Sequence, residues 1–136
     1  MTFPAYCCLF CDDIRQEVGD KASYMGVYGD NISVPHFPFK FATFSIAVRS
    51  LFPLHSSEYN GILLIEIAGE KQEFPIEPSS SSVELSSENN RATINIHVSV
   101  AGLQIKSPTE IQVYFKRGRS KKMIGKIGVV ALKTKI

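Results

Sequence analysis

The clearest structural signal in this chain is the stretch ATINIHVSV at residues 92–100. Apolar side chains occupy every second position from Ala92 to Val100, and Thr, Asn, His and Ser fill the positions between them. A period of two is typical of a β-strand with one buried and one solvated face. Residues 92–100 are therefore predicted to form a strand that covers an apolar core on one side.

The same alternation continues on both sides of this strand. Ile111, Val113 and Phe115 alternate with more polar residues, and the run at 123–132 is predicted to return after Gly118 as a hairpin partner. Further strands are predicted at 6–15, 22–29, 41–51, 61–68, 72–76 and 103–105. The pattern thus predicts an all-β chain of about eight or nine strands.

Three segments are predicted to connect these strands. Residues 30–40 contain Pro35 and Pro38, which cannot sit in a central strand, and residues 52–60 contain Pro53. The serine-rich tract at about 77–90 is predicted to be a polar, mobile loop.

The strand pattern favours two packed sheets over one open sheet. Residues 41–51 are apolar on both faces, which places them centrally in a sheet. Two sheets packed face to face accommodate both kinds of strand. No repeat or linker divides the chain. We therefore predict that residues 1–136 form a single-domain antiparallel β-sandwich, immunoglobulin-like or C2-like, with a small closed barrel as the second choice.

Length and composition are those of one small cytoplasmic domain. The 136 residues fit a single domain. The first residues lack the basic region of a signal peptide, and no stretch approaches the roughly 20 apolar residues of a membrane span. All three cysteines, Cys7, Cys8 and Cys11, lie in one short segment, which is a poor disulfide framework. We expect a reducing, cytoplasmic location; the oligomeric state stays open.

The charge of the chain is strongly divided by position. Residues 1–90 carry five basic and twelve acidic residues, a net charge of −7, whereas residues 91–136 carry ten basic residues and one acid, Glu110, a net charge of +9. The formal total of +2 hides this division. Such asymmetry bears on association and partners, not on fold.

Cations are most concentrated at the tip of the predicted C-terminal hairpin. Five of the seven residues at 116–122 are basic: Lys116, Arg117, Arg119, Lys121 and Lys122. Because arginine forms paired hydrogen bonds with carboxylates and phosphates, this tip predicts contact with an acidic protein or with nucleic acid. The alternative is a solvated turn whose charge keeps the sheet edge from pairing with other chains.

A second candidate contact is the proline-rigidified loop that contains Phe37 and Phe39. Exposed apolar side chains usually mark interfaces, so rings left outside would be partner anchors. The alternative is that both rings cap the core.

The residue pattern contains no recognisable catalytic or metal-binding constellation. Cys8 and Cys11 have a CxxC spacing, but in a strand they face opposite sides, and no second pair completes a zinc site. We expect all three cysteines to be buried packing residues. GxSxG turns, Cys–His–Asn arrangements and phosphate loops are also missing from the sequence. We therefore expect a protein that is not an enzyme and needs no cofactor.

Asp12, Asp13 and Asp30 allow a third alternative, a calcium- or lipid-binding C2-like module. Calcium takes about six to eight oxygen ligands, and no calcium-loop motif is present. The favoured interpretation is that these carboxylates are strand-end charges paired with nearby Arg or Lys.

The N-terminal hairpin resembles a known pattern. FCDDIRQE at residues 10–17 followed by KASYMGVY at residues 21–28 is similar to an uncharacterised family of small bacterial and prophage proteins. Their N-terminal hairpin has the form C-D-D-x-R-x-E followed by K-x-S-x-x-G-x-Y. The resemblance covers about the first thirty residues. It implies a β-sandwich and a phage or mobile-element setting, and it brings no assigned activity.

Together these observations predict a non-enzymatic binding module of a phage or mobile-element type. We expect it to engage an acidic protein, such as a component of a host or defence complex, through the basic hairpin and the Phe37/Phe39 loop. The alternatives are a nucleic-acid-binding accessory protein that uses the same hairpin, and the calcium- or lipid-binding module.

Overall fold

The chain is built from strands, as the alternation predicts. The structure, a computed structural model, describes residues 5–19, 21–53, 61–76, 83–86 and 91–132. Its strands are β1 (Ala5–Glu17), β2 (Lys21–Val27), β3 (Asn31–Val34), β4 (Phe39–Pro53), β5 (Gly61–Ile67), β6 (Glu70–Ile76), β7 (Val83–Ser86), β8 (Arg91–Ile105), β9 (Thr109–Arg117) and β10 (Ser120–Ala131).

The ten strands form two five-stranded sheets. Sheet 1 has the order β2-β1-β4-β8-β7, and sheet 2 has the order β3-β10-β9-β5-β6. All neighbours are antiparallel except β3 and β10, which are parallel. The series β1-β4-β8-β7 opposite β10-β9-β5-β6 is the A-B-E-D and G-F-C-C′ order of immunoglobulin domains, to which β2 and β3 are added.

One apolar core lies between the two sheets. Phe44 and Val48 from β4 meet Leu63 and Val113 from sheet 2, and all four are almost completely buried. Rings pack against rings on the sheet 1 side, where Phe44 lies 5.6 Å from Phe41 and 6.2 Å from Phe10, centroid to centroid. The β-sandwich prediction is confirmed.

Two short strands depart from the predicted elements. β3 lies within 30–40, predicted to be a connection, and β7 lies within the loop predicted at 77–90; the rest of that loop, 77–82 and 87–90, lies outside the described residues. Both have four residues and sit at sheet edges, so the pattern there is too brief to reveal them. The segments predicted separately at 92–100 and 103–105 form one strand, β8.

Near one end of sheet 1, an irregularity at Gly102 reverses the face to which the side chains of β4 and β8 point. Strict alternation would put Phe41 and Phe44 on opposite faces, yet both are buried in the core. The ladder between β4 and β8 skips the pair Ala42 and Gly102, and Gly102 has φ +71°, which glycine adopts without steric cost. The irregularity lets two closely spaced rings fill the same end of the core.

A similar irregularity divides the β1–β2 hairpin. The ladder skips Asp12 and Gly26, and Gly26 has φ +66°. A side chain at position 26 would also collide with the Asp12 carboxylate. β1 pairs with β4 only as far as Cys11, so beyond that residue the hairpin is free of β4 and can leave the plane of sheet 1.

The distal part of this hairpin reaches the outer face of sheet 1. His97 alternates with Val98 of the core and therefore points outward. The amide Nε2 of Gln16 lies 3.3 Å from His97 Nδ1, and the Tyr24 hydroxyl lies 3.0 Å from His97 Nε2. Because an amide nitrogen only donates, Nδ1 accepts from Gln16 and Nε2–H donates to Tyr24. Both residues of the hairpin thus contact β8 across β4.

Side chains near this contact are buried although they face away from the core. Cys11, Ser45 and Ala47 alternate with core residues and yet are almost fully buried. The Ser45 hydroxyl is satisfied by that of Ser99 at 2.8 Å. The outer face of sheet 1 therefore carries a small second cluster beneath the hairpin.

Candidate functional site

The basic tip is the hairpin between β9 and β10, with its turn at Gly118. Lys116 pairs with Lys121, and Arg117 pairs with Ser120. Directly opposed residues point to the same face, and successive residues point to opposite faces. In the linear sequence these cations form one cluster. The hairpin geometry divides them between two faces.

On the outer face of sheet 2, Lys116 and Lys121 flank Tyr114. The Lys121 ammonium lies 4.2 Å from the centroid of the Tyr114 ring, a cation–π contact. Lys116 Nζ lies 3.4 Å from a Glu73 carboxylate oxygen on β6. One cation of this pair is thus neutralised by a carboxylate, and the other rests on a neutral ring.

On the opposite face, Lys122 and Arg117 lie near Tyr6 of β1. Lys122 Nζ is 5.4 Å from the Tyr6 ring centroid, and the Tyr6 ring packs at 5.3 Å against Phe115. Burial raises the pKa of the Tyr6 phenol, and the nearby charge of Arg117 acts in the opposite direction. This face of the hairpin is anchored to sheet 1 through one aromatic residue.

Arg119 occupies the turn itself and is exposed. Of the hairpin cations, Lys116 pairs with a carboxylate, that of Glu73, whereas Lys121 and Lys122 lie over aromatic rings. The hairpin therefore holds Lys121 and Lys122 by ring contacts that leave their ammonium charge in place. Such a surface can accept carboxylates or phosphates.

The two tyrosines beneath these lysines were missed by sequence reasoning. Tyr114 carries a readable signal, since it lies two residues before Lys116 on the same strand and shares its face. Tyr6 has no such signal, because it lies on the first strand, and only the packing of β1 against β10 brings it to Lys122.

Phe37 and Phe39 do not join the basic hairpin. They follow β3, whose last residue, Val34, pairs with Ala131 at the far end of β10. Eleven residues of strand, roughly 35 Å, separate that end from the hairpin turn. Both rings are half-buried and pack against the core, and Phe39 contacts Phe41 edge-on at 4.9 Å. The structure therefore places the two predicted contact regions at opposite ends of the sandwich.

The three cysteines are free thiols in three different environments. Cys11 is buried beneath the β1–β2 hairpin, and Cys8 faces the space above Gly125 of β10. Burial, followed by the neighbouring Cys7, raises the pKa of the Cys8 thiol to about 12, so this thiol is protonated and inert at neutral pH. Cys7 is exposed, so the expectation that all three are buried is wrong for this residue.

The structure does not gather Asp12, Asp13 and Asp30 into a calcium site. Asp12 accepts a hydrogen bond from the Tyr28 hydroxyl, while Asp13 accepts one from the Ile14 backbone amide at 2.9 Å. Across the residues that the structure describes, no group of three or more His, Cys, Asp or Glu could hold a metal ion. Burial first, and then the bond to Asp12, raise the pKa of Tyr28.

Asp13 pairs with a neighbouring arginine as expected, but it lies within β1 and not at the end of a strand. The Arg15 guanidinium lies 3.8 Å from its second carboxylate oxygen, and both side chains are largely exposed. The described ranges also contain no helix of the length and apolarity needed to cross a bilayer.

Comparison with known proteins supports a family but no activity. Neither a curated protein nor a solved structure matches the chain. A family of unknown function (DUF6941) matches residues 6–118, which includes β1 to β9 and ends at the turn of the basic hairpin. Since the match covers more than half of the sequence, the chain belongs to this family of unknown function.

Proposed function

We propose that this protein is a non-enzymatic binding module that engages an acidic protein partner through its basic hairpin. The contact residues are Lys116, Arg117, Arg119, Lys121 and Lys122. In keeping with the resemblance of the N-terminal hairpin to prophage proteins, we place the module in a phage or mobile-element setting, where the partner belongs to a host or defence complex.

The observation that carries this proposal is the way the hairpin lysines are held. Lys121 rests on Tyr114 and Lys122 lies near Tyr6, on opposite faces of the same hairpin. A ring restricts the side chain but does not neutralise it, unlike a carboxylate. Each ammonium therefore keeps its charge and retains donors for a partner.

Charge held in this manner favours recognition by carboxylates. Complementary charges steer encounter and select partners more than they add affinity, and their effect weakens as salt screens them. Arg119 at the exposed turn adds a planar, five-donor group that matches a carboxylate in two-pronged geometry. The hairpin thus combines positioned lysines with one accessible arginine.

The test is affinity capture from lysate of the native host with the full chain as bait. The Arg119→Glu/Lys122→Glu variant reverses two exposed hairpin charges. The matched control, Lys40→Glu/Lys106→Glu, makes the same charge change at two exposed lysines away from the hairpin. Each bait is used with and without nuclease, and the captured proteins are quantified by mass spectrometry.

We expect the wild type and the control to retain the same acidic protein after nuclease treatment and the hairpin variant to lose it. Equal capture by the hairpin variant would contradict the proposal. Capture that nuclease abolishes would instead assign the hairpin to nucleic acid, in which case binding to DNA should weaken with salt at a log–log slope of about 0.9 per phosphate contacted.

A further inference from the structure

The outer face of sheet 2 carries a charge pattern that complements itself. Three strands, β5, β9 and β10, contribute side chains in rows across this face. One row consists of Leu64, Tyr114 and Met123, and the next consists of Glu66, Gln112 and Lys126. The first row is apolar and aromatic, and the second has an acid at one end, an amide in the middle and a lysine at the other.

The flanks of the face differ in charge in the same sense. Lys121 lies on the β10 flank with Lys126, so that flank carries two lysines. The β5 flank carries two acids and one lysine, because Glu73 and Lys71 of β6 lie beside Leu64 and Glu66. Lys116 reaches over β5 to Glu73, which covers Leu64 and leaves it only 2% exposed. Glu66 and Lys126 have no ion pair within the described residues.

Side chains along the centre of the face are already ordered. The Tyr114 hydroxyl donates to Gln112 Oε1 at 2.6 Å, and Gln112 Nε2 donates to Glu110 at 2.8 Å. Lys121 lies over the Tyr114 ring at the other end of this chain of contacts. Side chains held in one conformation lose little further entropy on binding, which favours association.

This face is open, in contrast to the outer face of sheet 1. No strand of the described chain packs over it, and Met123 at its centre is 41% exposed. Tyrosine and methionine are enriched at the centres of protein interfaces, whereas lysine and glutamate belong to their rims. The arrangement of this face, with Tyr114 and Met123 central and charges outside, follows that composition.

We propose that this face binds a second copy of the chain across a two-fold axis that runs parallel to β9 through Tyr114. Such an axis exchanges the β10 and β5 ends of every row. It therefore brings Lys126 of one copy to Glu66 of the other, and Met123 of one copy to the Lys116–Glu73 pair that covers Leu64 of the other. Both contacts occur twice, as a two-fold interface requires.

The face spans roughly 15 Å across the four strands from β10 to β6, which lie about 4.8 Å apart, and roughly 20 Å along β9 from Glu110 to Lys116, at about 3.3 Å per residue. An interface of this size lies at the small end of specific protein interfaces. The dimer is therefore a readily reversible one that weakens with salt. Lys116 and Lys121 belong to both surfaces, whereas Arg119 and Lys122 lie off this face. The inference does not rest on the proposed function, and its test is separate because Glu66 and Lys126 are not among the hairpin contact residues.

Sedimentation equilibrium of the full chain over a range of concentrations tests the proposal. Lys126→Glu and Glu66→Lys each create two repulsive contacts, so each variant is expected to weaken dimerisation on the order of tenfold or more. An equimolar mixture of the two variants restores opposite charges at both contacts and recovers the wild-type dissociation constant. Lys106→Glu, a matched charge reversal away from the face, leaves dimerisation unchanged.

Several outcomes would overturn this inference. The wild type could stay monomeric throughout, or both variants could weaken the dimer without recovery in the mixture. A monomeric wild type whose Lys126 amide shifts in NMR spectra on addition of poly-L-glutamate would assign the face to an acidic partner instead. Near-native circular dichroism of both variants, whose sites lie on the surface, keeps each result independent of misfolding.

Discussion

The outer faces of the two sheets are shielded from solvent in different ways. In sheet 1, the face that points away from the core is covered by the chain's own β1–β2 hairpin, which Gln16 and Tyr24 fasten to His97. In sheet 2, the corresponding face is covered only by its own side chains, among them Lys116 reaching across β5 to Glu73. One face is closed by backbone, and the other by long charged side chains.

This difference shows where the molecule has surface left for partners. The hairpin makes part of the outer face of sheet 1 inaccessible to a partner, since Cys11, Ser45 and Ala47 are buried there. Covering a face with charged side chains protects apolar residues such as Leu64 and still leaves donors and acceptors exposed. This difference is the reason why both proposals place binding on the outer face and hairpin of sheet 2 and not on the outer face of sheet 1.

The sharpest test of the comparison places an acid on each outer face. Ala47→Glu puts a carboxylate beneath the β1–β2 hairpin, where Ala47 is 4% exposed. Because an unpaired buried charge is strongly unfavourable, we expect the free energy of unfolding to fall by about 3 kcal/mol or more. Urea denaturation followed by circular dichroism measures this change.

Val130→Glu is the matched variant on the open side. Val130 lies on the outer face of β10 and is 39% exposed, so the same introduced acid stays in water. We expect a change within about 0.5 kcal/mol. If both variants are equally destabilised, the two faces do not differ in cover and the comparison is wrong.

A smaller effect should come from the residue that fastens the hairpin. His97→Gln disturbs the contacts to Gln16 and Tyr24 and should cost about 1 kcal/mol at pH 7.5. Burial lowers the pKa of His97 in the folded state. The unfolded chain therefore binds the proton more readily, and the wild type loses stability as the pH falls below about 6.5 and through the lowered folded pKa.

Urea midpoints of the wild type and the His97→Gln variant at pH 7.5 and pH 5 check this prediction. The advantage of the wild type should shrink at the lower pH, because only the wild type must charge the imidazole at this position. If the difference in stability between the wild type and the variant stays constant or widens on acidification, the contacts of His97 with Gln16 and Tyr24 are insensitive to protonation of His97.

The smallest effect is expected on the open face. Glu73→Gln removes the carboxylate that pairs with Lys116, and both side chains are well exposed to solvent. Exposed ion pairs contribute about 0.2–1 kcal/mol, so stability should fall by no more than that and less at high salt. Thermal melts at low and high salt measure it; a loss well above 1 kcal/mol would mean that the pair does more than cover Leu64.

Much of the fold was predictable because most strands carry a strong local signal. The alternation in β8 and β9 predicts both strands and their buried faces, and the apolar run of β4 predicts its central position. β3 and β7 were not predictable, because a four-residue edge strand is defined by the neighbour it pairs with. The exposure of Cys7 was not predictable either. Its sequence neighbours are apolar, but at Cys7 strand β1 pairs only with β4 and forms the edge of sheet 1.

For the candidate site, the sequence alone located the cations. Their arrangement on two faces depends on the pairing of β9 with β10. Alternation along β9 and β10 is a local property, so the division of Lys116 and Lys121 from Arg117 and Lys122 was readable once the hairpin turn was placed at Gly118. The contact of Lys122 with Tyr6 was not, because it joins the first strand to the last.

The amino-acid sequence by itself determined that this protein is a β-sandwich with a cation-rich terminal hairpin, because strand period and charge are properties of neighbouring residues. Only the tertiary structure decided that Phe37 and Phe39 lie at the opposite end from that hairpin, that β2 folds over sheet 1, and that Glu66 and Lys126 share a row. These facts depend on strand order and register, which arise from contacts between residues far apart in the chain.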